Sequence, residues 1–586
     1  MSKPDFEICT HAMKKCDNGS MIKTHWWRNA VGYIVYPQSF QDSNGDGIGD
    51  IPGIISRLDY LRDLGVNLLW ICPIFASPMD DNGYDVSDYY AINPAYGTMD
   101  DFKRLLSEAH QRGIRIAIDF VMNHTSDEHP WFRKALADPD SEERGFYYIR
   151  KGKVVDGKLL PPNNWKGFFA TSVWERIPGT DEFYLHIFSR KMPDVNWENP
   201  KLREKYYEIA RFYLDMGVDG FRLDALAHLG KDQSFSDSDF PVDENGLAFD
   251  TGRYSNRNDV FRYLREFKEK VLDDYDCVTI GEVGGDLSPE KALDYSSYDH
   301  GSIDMVFNFD TAWSNGAYGS IDKRDDEIVT DVVGLKKAFE RWYRVCHDRA
   351  DMPLYWDNHD HPRVLSQYGS LAHRNESAKA LLTVLLFLYG TPFLYNGEEI
   401  GMSNVTYRSL EDFSNDCGNR NDIAEKRAQG YSDEQILKYL CRCSRTNART
   451  PFQWNRGPNA GFTDGTPFIK VNENYLQGVN ALDEMEDPWS IINFAQYAIW
   501  KRRDPEIEEL MKGELVFLEI ENPDVIAYVH ESAKGKLFVI ANMRDHDVSF
   551  PFYHSVEDCY LHNYGEALLR DHVFTLRPFE CFLLKA

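Results

Sequence analysis

Four short stretches put acidic and histidine side chains where an apolar run gives out: "DFVMNH" ending at His124, "GFRLDA" with Arg222 and Asp224, "TIGEV" with Glu282, and "WDNHD" with His359 and Asp360. Arg222 and Asp224 are two residues apart, so in a strand they share a side and the guanidinium keeps the carboxylate ionised. Glu282 lies between the apolar residues Ile280 and Val283, where partial burial predicts a raised pKa and a proton retained near neutrality. One charged and one protonated carboxyl group are the equipment for cleaving a glycosidic bond. Taken singly, His124 and His359 read as hydrogen-bonded structural histidines; at strand ends beside carboxylates they become site candidates.

These residues need a scaffold that brings distant strand ends to one mouth. Eight near-continuous apolar runs, "AVGYIVYP", "VNLLWICPI", "IRIAIDFV", "GVDGFRLDA", "CVTIGEV", "SIDMVFNF", "MPLYWDNHD" and "TPFLYNGEE", alternate with amphipathic helical stretches. That alternation predicts an α/β fold, a (β/α)8 TIM barrel whose strand C-termini carry the site. Residues 125–196, rich in Trp, Phe, Pro and Asn, interrupt it after the third strand and are too long for a plain loop, so they form an inserted domain. From 512 to 586 short alternating strands such as "GELVFLEI" and "VIAYVHE" predict a C-terminal antiparallel β-sandwich. The barrel then takes residues 21–124 and 197–511. Residues 1–20 are polar and unpatterned, with Met21 just before the patterned sequence, and read as a dispensable extension.

The stretch "DSNGDGIGD" carries oxygen-bearing side chains at the spacing of a calcium loop, Asp42, Asn44, Asp46 and Asp50, with Gly47 at the turn. A helix-loop-helix sensor needs a glutamate at position twelve, and Gly53 stands there. A strand and a proline precede the loop in place of a helix. Two readings remain: a structural divalent cation, Ca²⁺ first by its preference for many oxygens, or an Asp/Asn/Gly-rich turn without metal.

The chain has 586 residues and a formal net charge of −29, which argues against nucleic acid and anionic membrane surfaces as partners and leaves a neutral sugar compatible. The ten cysteines are scattered, without zinc spacing, and predict reduced thiols in a cytoplasmic protein. The N-terminus has no apolar run, and "ALLTVLLFLYG" is too short to span a bilayer.

In this order and spacing the four stretches resemble the signature regions of the α-amylase superfamily, glycoside hydrolase family GH13. "DSNGDGIGD", "DDNGYDVSDYY", "NARTPFQW" and "GEEIGM" are similar to the oligo-1,6-glucosidase and α-glucosidase group within it. The resemblance runs from Trp26 to the C-terminus. It implies Asp224 as the nucleophile, Glu282 as the acid and base, and Asp360 as a third carboxylate on the sugar hydroxyls. It further implies His124, Arg222 and His359 around the same ring, Tyr84 stacked beneath it, Phe168 nearby, and an Asp81–Arg449 pair closing the pocket for exo-action with retention. The Ile48 carbonyl would join Asp42, Asn44, Asp46 and Asp50 around a structural Ca²⁺, with Mg²⁺ as the alternative ion and no organic cofactor. Partners would be short neutral α-glucosides, met by a monomer or homodimer.

Three positions depart from the group's pattern. Ala225 follows the nucleophile where valine accompanies α-1,6 preference, and the missing methyls leave room that favours α-1,4 substrates such as maltose. Met192 replaces a glutamine and loses its hydrogen bonds. His361 replaces a second glutamine, and its protonation is expected to shape the pH profile. Two rivals stand beside the hydrolase. One is a glucosyl-transferring isomerase of the sucrose isomerase or trehalose synthase type, whose arginine- and aspartate-rich loop is missing after "HPR". The other is a non-catalytic amylase-like binding protein, which would lack the carboxylates.

Overall fold

Alternation along the eight apolar runs decides the barrel. In a computed structural model describing residues 23–169, 171–284, 287–310 and 316–586, they form β1 (Gly32–Val35), β2 (Leu68–Ile71), β3 (Arg115–Val121), β4 (Gly220–Asp224), β5 (Val278–Glu282), β6 (Met305–Phe307), β7 (Pro353–Leu354) and β8 (Thr391–Tyr395). Their order is β6-β5-β4-β3-β2-β1-β8-β7, all neighbours parallel, and a parallel bridge between Met305 and Asp351 joins the two ends. Every second side chain points inward: Ile34, Leu68, Trp70, Ala117, Ile280, Phe307, Phe393 and Tyr395 fill the interior. The alternate set, including Tyr33, Leu69, Ile118, Phe221 and Leu223, packs outward against helices. At the base Gly32 leaves the space that the Phe393 ring takes: a Cβ there would sit 2.3 Å from it.

The helices follow from caps and spacing. Met99–Gln111 starts on a Thr98/Asp101 capping box and buries Phe102, Leu105, Leu106 and Ala109, one face at helical period. In the same inward phase as the apolar residues stand Asp119 on β3, Arg222 and Asp224 on β4 and Glu282 on β5, with Arg222 in register with Asp119 and Ile280. The barrel's pleat thus delivers one arginine and three carboxylates to its upper end.

Two features depart from the sequence expectation. The insertion over 125–196 holds a three-stranded antiparallel sheet, but it does not close its own core. Trp165 and Trp174 are covered by Phe235 and Tyr254 from the segment after β4, and Trp165 bridges to Ala248. Two tryptophans expose more apolar surface than a three-stranded sheet can cover alone. After β8 the chain spends residues 396–490 on short helices and loops before the helix Ile491–Arg502.

The C-terminal strands form a five-stranded and a three-stranded antiparallel sheet around Val529, Phe538, Ile540, Phe550, Phe574 and Phe582, a β-sandwich. Its other face docks on the helix Arg374–Leu386, where the Tyr528 hydroxyl donates to the Val384 carbonyl at 2.8 Å. Residues 1–20 lie outside the described residues. Among the described residues no helix is long and apolar enough to cross a membrane.

Candidate active site

Arg222 is buried at the end of β4 and binds three carboxylates. Its Nη1 donates to Asp119 at 2.7 Å and to Asp224 at 2.5 Å, and its Nη2 lies 3.0 Å from Glu282. Trp70 supports the guanidinium from below and donates its own Nε1–H to Asp119. Asp224 and Glu282 therefore flank one guanidinium. Burial drives Asp224 well above the usual carboxylate range; Arg222 opposes this, while Glu282 and Asp119 add like charge. One arginine shared among three carboxylates leaves the two buried ones, Asp119 and Asp224, both pushed upward. The apolar setting expected for Glu282 is not what surrounds it. Ile280 turns into the barrel and Val283 into the outer core. The Glu282 carboxyl, a quarter exposed, faces Arg222 and the Ala225 amide, 3.0 Å away.

Above this pair opens a cavity of about 200 Å³ lined by Asp81, Tyr84, His124, Phe168, Phe188, Met192, Asp224, Ala225, His228, Glu282, Asp360 and Arg445. Asp360, from the loop after β7, receives Arg445 at 3.1 Å and Arg449 at 2.8 Å on Oδ1, and His359 at 3.1 Å on Oδ2. Burial alone would raise its pKa, but His359, Arg445 and Arg449 hold it well below the usual carboxylate range. Asp81 pairs with Arg445 at 2.8 Å. This corrects the expected Asp81–Arg449 pair: Arg449 stands one layer back, donating to Asp360, Asp416 and the His359 carbonyl.

The histidines divide. His124 lines the cavity against Phe188, and burial next to Lys231 lowers its pKa to about 3, so the ring is neutral. His359 is fully buried behind Asp360, its Nε2 shared between Asp360 and the Tyr84 hydroxyl at 2.6 Å, its ring stacked on Tyr84. Arg222, His359 and Arg449, each expected on the sugar, thus stand behind the carboxylates and orient them. Phe168 stacks on Phe188 and meets His228 at the wall.

The catalytic-domain description of the α-amylase family, "Alpha amylase, catalytic domain", matches residues 34–513. The chain belongs to the α-amylase family of glycoside hydrolases. This glycoside hydrolase is 41% identical over 566 residues to an oligo-1,6-glucosidase of Halalkalibacterium halodurans, covering 95% of this chain and 98% of the relative. Among solved structures it is similar to a trehalose-6-phosphate hydrolase of Bacillus licheniformis, with TM-score 0.86, 35% identity, and 96% and 99% of the two chains covered. It is equally similar to an isomaltulose synthase of Erwinia rhapontici, with TM-score 0.88, 35% identity and the same coverage.

Sequence reasoning missed Arg445, Asp119, Asp416 and His228 in this glycoside hydrolase. Asp119 left a signal, a lone acid inside the apolar run "IRIAIDFV". Arg445 stands one turn before Arg449, joined to it by the 3₁₀ helix Arg445–Asn447, but nothing in its surroundings marks a barrel site. Asp416, capping the helix Cys417–Ala428, binds both arginines and left no pattern.

The loop at 42–50 is folded by nested turns. Asp42 accepts the amides of Asn44, Gly45 and Gly47 and the hydroxyl of Thr463; Asn44 accepts from Asp46, and Asp46 from Ile48. Burial acts against Asp42, yet Thr463 and the three amides hold it below the ordinary carboxylate range. Asp50 caps the helix Ile51–Ser56 through the Gly53 amide and binds Ser43. By donor type the all-oxygen set suits a hard dication, but among the described residues no three acidic, histidine or cysteine side chains converge as a metal cage. By geometry the four hydrogen bonds fill the lone pairs of Asp42, so an ion would take the place of the Thr463 hydroxyl.

His361 carries a correction. It is buried, and burial lowers its pKa to about 4 despite Asp360 beside it, so its ring is neutral wherever the enzyme works. The pH dependence of kcat/KM for His361→Gln is expected to match that of the parent between about pH 5 and pH 8, measured with an aryl α-glucoside; a limb lost or moved by the substitution would show that His361 titrates in that range.

Proposed function

We propose that the chain is a retaining, exo-acting α-glucosidase that takes short neutral α-glucosides, maltose and malto-oligosaccharides ahead of isomaltose or sucrose. The observation that carries this reading is the pairing of Asp224 and Glu282 on one guanidinium at the floor of a cavity walled on one side by the Asp81–Arg445 ion pair. At about 200 Å³ the cavity is smaller than the roughly 300–1,000 Å³ of a drug-sized site, which suits a single terminal sugar.

Asp224 takes the shorter bond from Arg222, which opposes the rise that burial imposes on its carboxyl, and is assigned the nucleophile's place; Glu282, a quarter exposed on the other side of the same guanidinium, is assigned the acid's. Asp224 then attacks the anomeric carbon while Glu282 gives its proton to the leaving oxygen. In the second half Glu282 takes a proton from water, which releases the sugar from Asp224 with its configuration retained. Asp360, held charged by two arginines, accepts hydrogen bonds from sugar hydroxyls. The Tyr84 hydroxyl is tied to His359, so its ring is the part that remains for the sugar.

Substrate preference rests on two observations. Ala225 sits in the left-handed region at φ 48° beside Glu282, where a β-branched residue is strained, so the leaving-group side stays small and open. The guanidinium that reaches the cavity, Arg445, is committed to Asp81, Asp360 and Asp416, and the lining histidines His124 and His228 are neutral, which favours an uncharged sugar over a phosphorylated one. We also propose Ca²⁺, with Mg²⁺ as the alternative, as a structural ion of the 42–50 loop, held by Asp42, Asn44, Asp46, Asp50 and the Ile48 carbonyl. Its role there would be to rigidify the loop after β1, away from the chemistry.

Product analysis on maltose, isomaltose, sucrose, trehalose and trehalose 6-phosphate tests the reading. Glucose is expected first and fastest from maltose, with at least a roughly 10³-fold loss in Asp224→Ala; an isomeric disaccharide with little glucose would establish an isomerase instead. For the loop, removing divalent ions with a chelator is expected to lower the melting temperature, with recovery on adding Ca²⁺. An unchanged melting temperature would mean that the turns and Thr463 hold the loop unaided.

A further inference from the structure

A second acidic pair stands behind the site. Asp357 opens the turn after β7 that carries His359 and Asp360, and Glu398 opens the turn after β8; both are buried. Their carboxyl groups act on each other side chain to side chain, within hydrogen-bonding range. Two carboxylates offer only acceptors, so a hydrogen bond between them requires a proton on one of them. Asp357 Oδ2 already accepts the Val364 amide at 2.7 Å, which closes the turn around Asp360, and Glu398 Oε1 accepts the Tyr395 amide at 3.2 Å. The buried Asp357 Oδ1 has no amide, amine or hydroxyl donor among the described residues.

The charges around the pair agree. Arg363, on the same turn, donates to the carbonyls of Asn396, Asn447 and Thr450 and lies over the Tyr395 ring. From the β8 side Glu399 faces the region, but it accepts hydroxyls from Tyr33 and Tyr60 and the Gly397 amide. Tyr407 feels Arg363 from the following loop, and Arg374, paired with Glu484, donates to the Ile400 carbonyl. One proton on the pair leaves one negative charge against Arg363, whereas two bare carboxylates would leave an uncompensated charge in the core. Burial pushes Glu398 well above the carboxylate range, with Asp357 adding to it. Burial takes Asp357 to about 6, opposed by the Glu398 bond and by Arg363.

We propose that Asp357 and Glu398 are positioning residues: one shared proton latches the β7 turn to the β8 turn and so fixes Asp360 over the cavity. This rests on the reading of Asp360 as a sugar-binding carboxylate. Unfolded, both groups are ionised at neutral pH; folded, they keep one proton, so folding takes up a proton and this contribution to stability falls as pH rises from about 5. It is gone once the folded pair ionises, and the turn then loosens.

Infrared spectroscopy of the whole protein in deuterated buffer at neutral pD reads the proton directly as a protonated-carboxyl carbonyl band. The band is expected to fall in E398Q and D357N, which remove one acid each, and to keep this component in E282Q. E398Q, which retains a donor, is expected to hold kcat at neutral pH within about threefold while the alkaline limb moves up by about a unit; E398A is expected to lose about tenfold or more in kcat. A band that persists in E398Q and D357N overturns the shared proton. A band that is lost while the alkaline limb and kcat of E398A stay at parental values overturns the positioning role. Should the parent protein fail to hydrolyse any α-glucoside, the functional reading falls and the infrared result still decides the proton.

Discussion

The structure depends on one buried guanidinium. Arg222 is placed by strand alternation in the barrel's inward phase, where every neighbour below it is apolar, and it is kept there by Asp119, Asp224 and Glu282. Removing it would strand carboxylates out of water, a change that costs about 3–5 kcal/mol in comparable buried pairs. The same shortage of positive charge gives the site its chemistry. Three carboxylates share one arginine, so burial pushes Asp119 and Asp224 upward even with the guanidinium beside them.

A second layer repeats the device with the balance reversed. Arg445 and Arg449 meet Asp360, Asp416 and Asp81, and here the cations hold Asp360 ionised. The two arginines come from the long segment after β8, Asp81 from the segment after β2, and Asp360 from the turn after β7. The closing wall of the cavity is therefore an assembly of three separate stretches joined by ion pairs and not by a sheet. Its geometry rests on how the turns after β7 and β8 are fixed to one another, which is where Asp357 and Glu398 stand.

The eight strands and their catalytic ends were legible because burial on both faces writes near-continuous apolar runs, and because a carboxylate at the end of such a run is expensive to place there without a purpose. Asp224, Glu282 and Asp360 converge for that reason. What sequence could not supply was depth. His359 and Arg449 were expected on the sugar and lie behind Asp360, since linear order does not tell which side of a carboxylate a neighbour takes. Arg445 escaped because the 396–490 segment has no period that ties it to the barrel mouth. The core shared by the insertion and the segment after β4 escaped likewise: Phe235 and Tyr254 are distant in sequence from the tryptophans they cover. His361 was read by its type, and burial reversed its consequence.

The central proposal is that Asp224, the carboxylate bound most closely by Arg222, is the nucleophile. Trapping with a fluorinated α-glucosyl fluoride, which slows release of the covalent intermediate, followed by proteolysis and mass spectrometry of the labelled peptide, tests it directly. A single glucosyl adduct on Asp224 is the predicted result. An adduct on Glu282 or Asp360, or rapid turnover of other α-glucosides with no adduct at all, would contradict it.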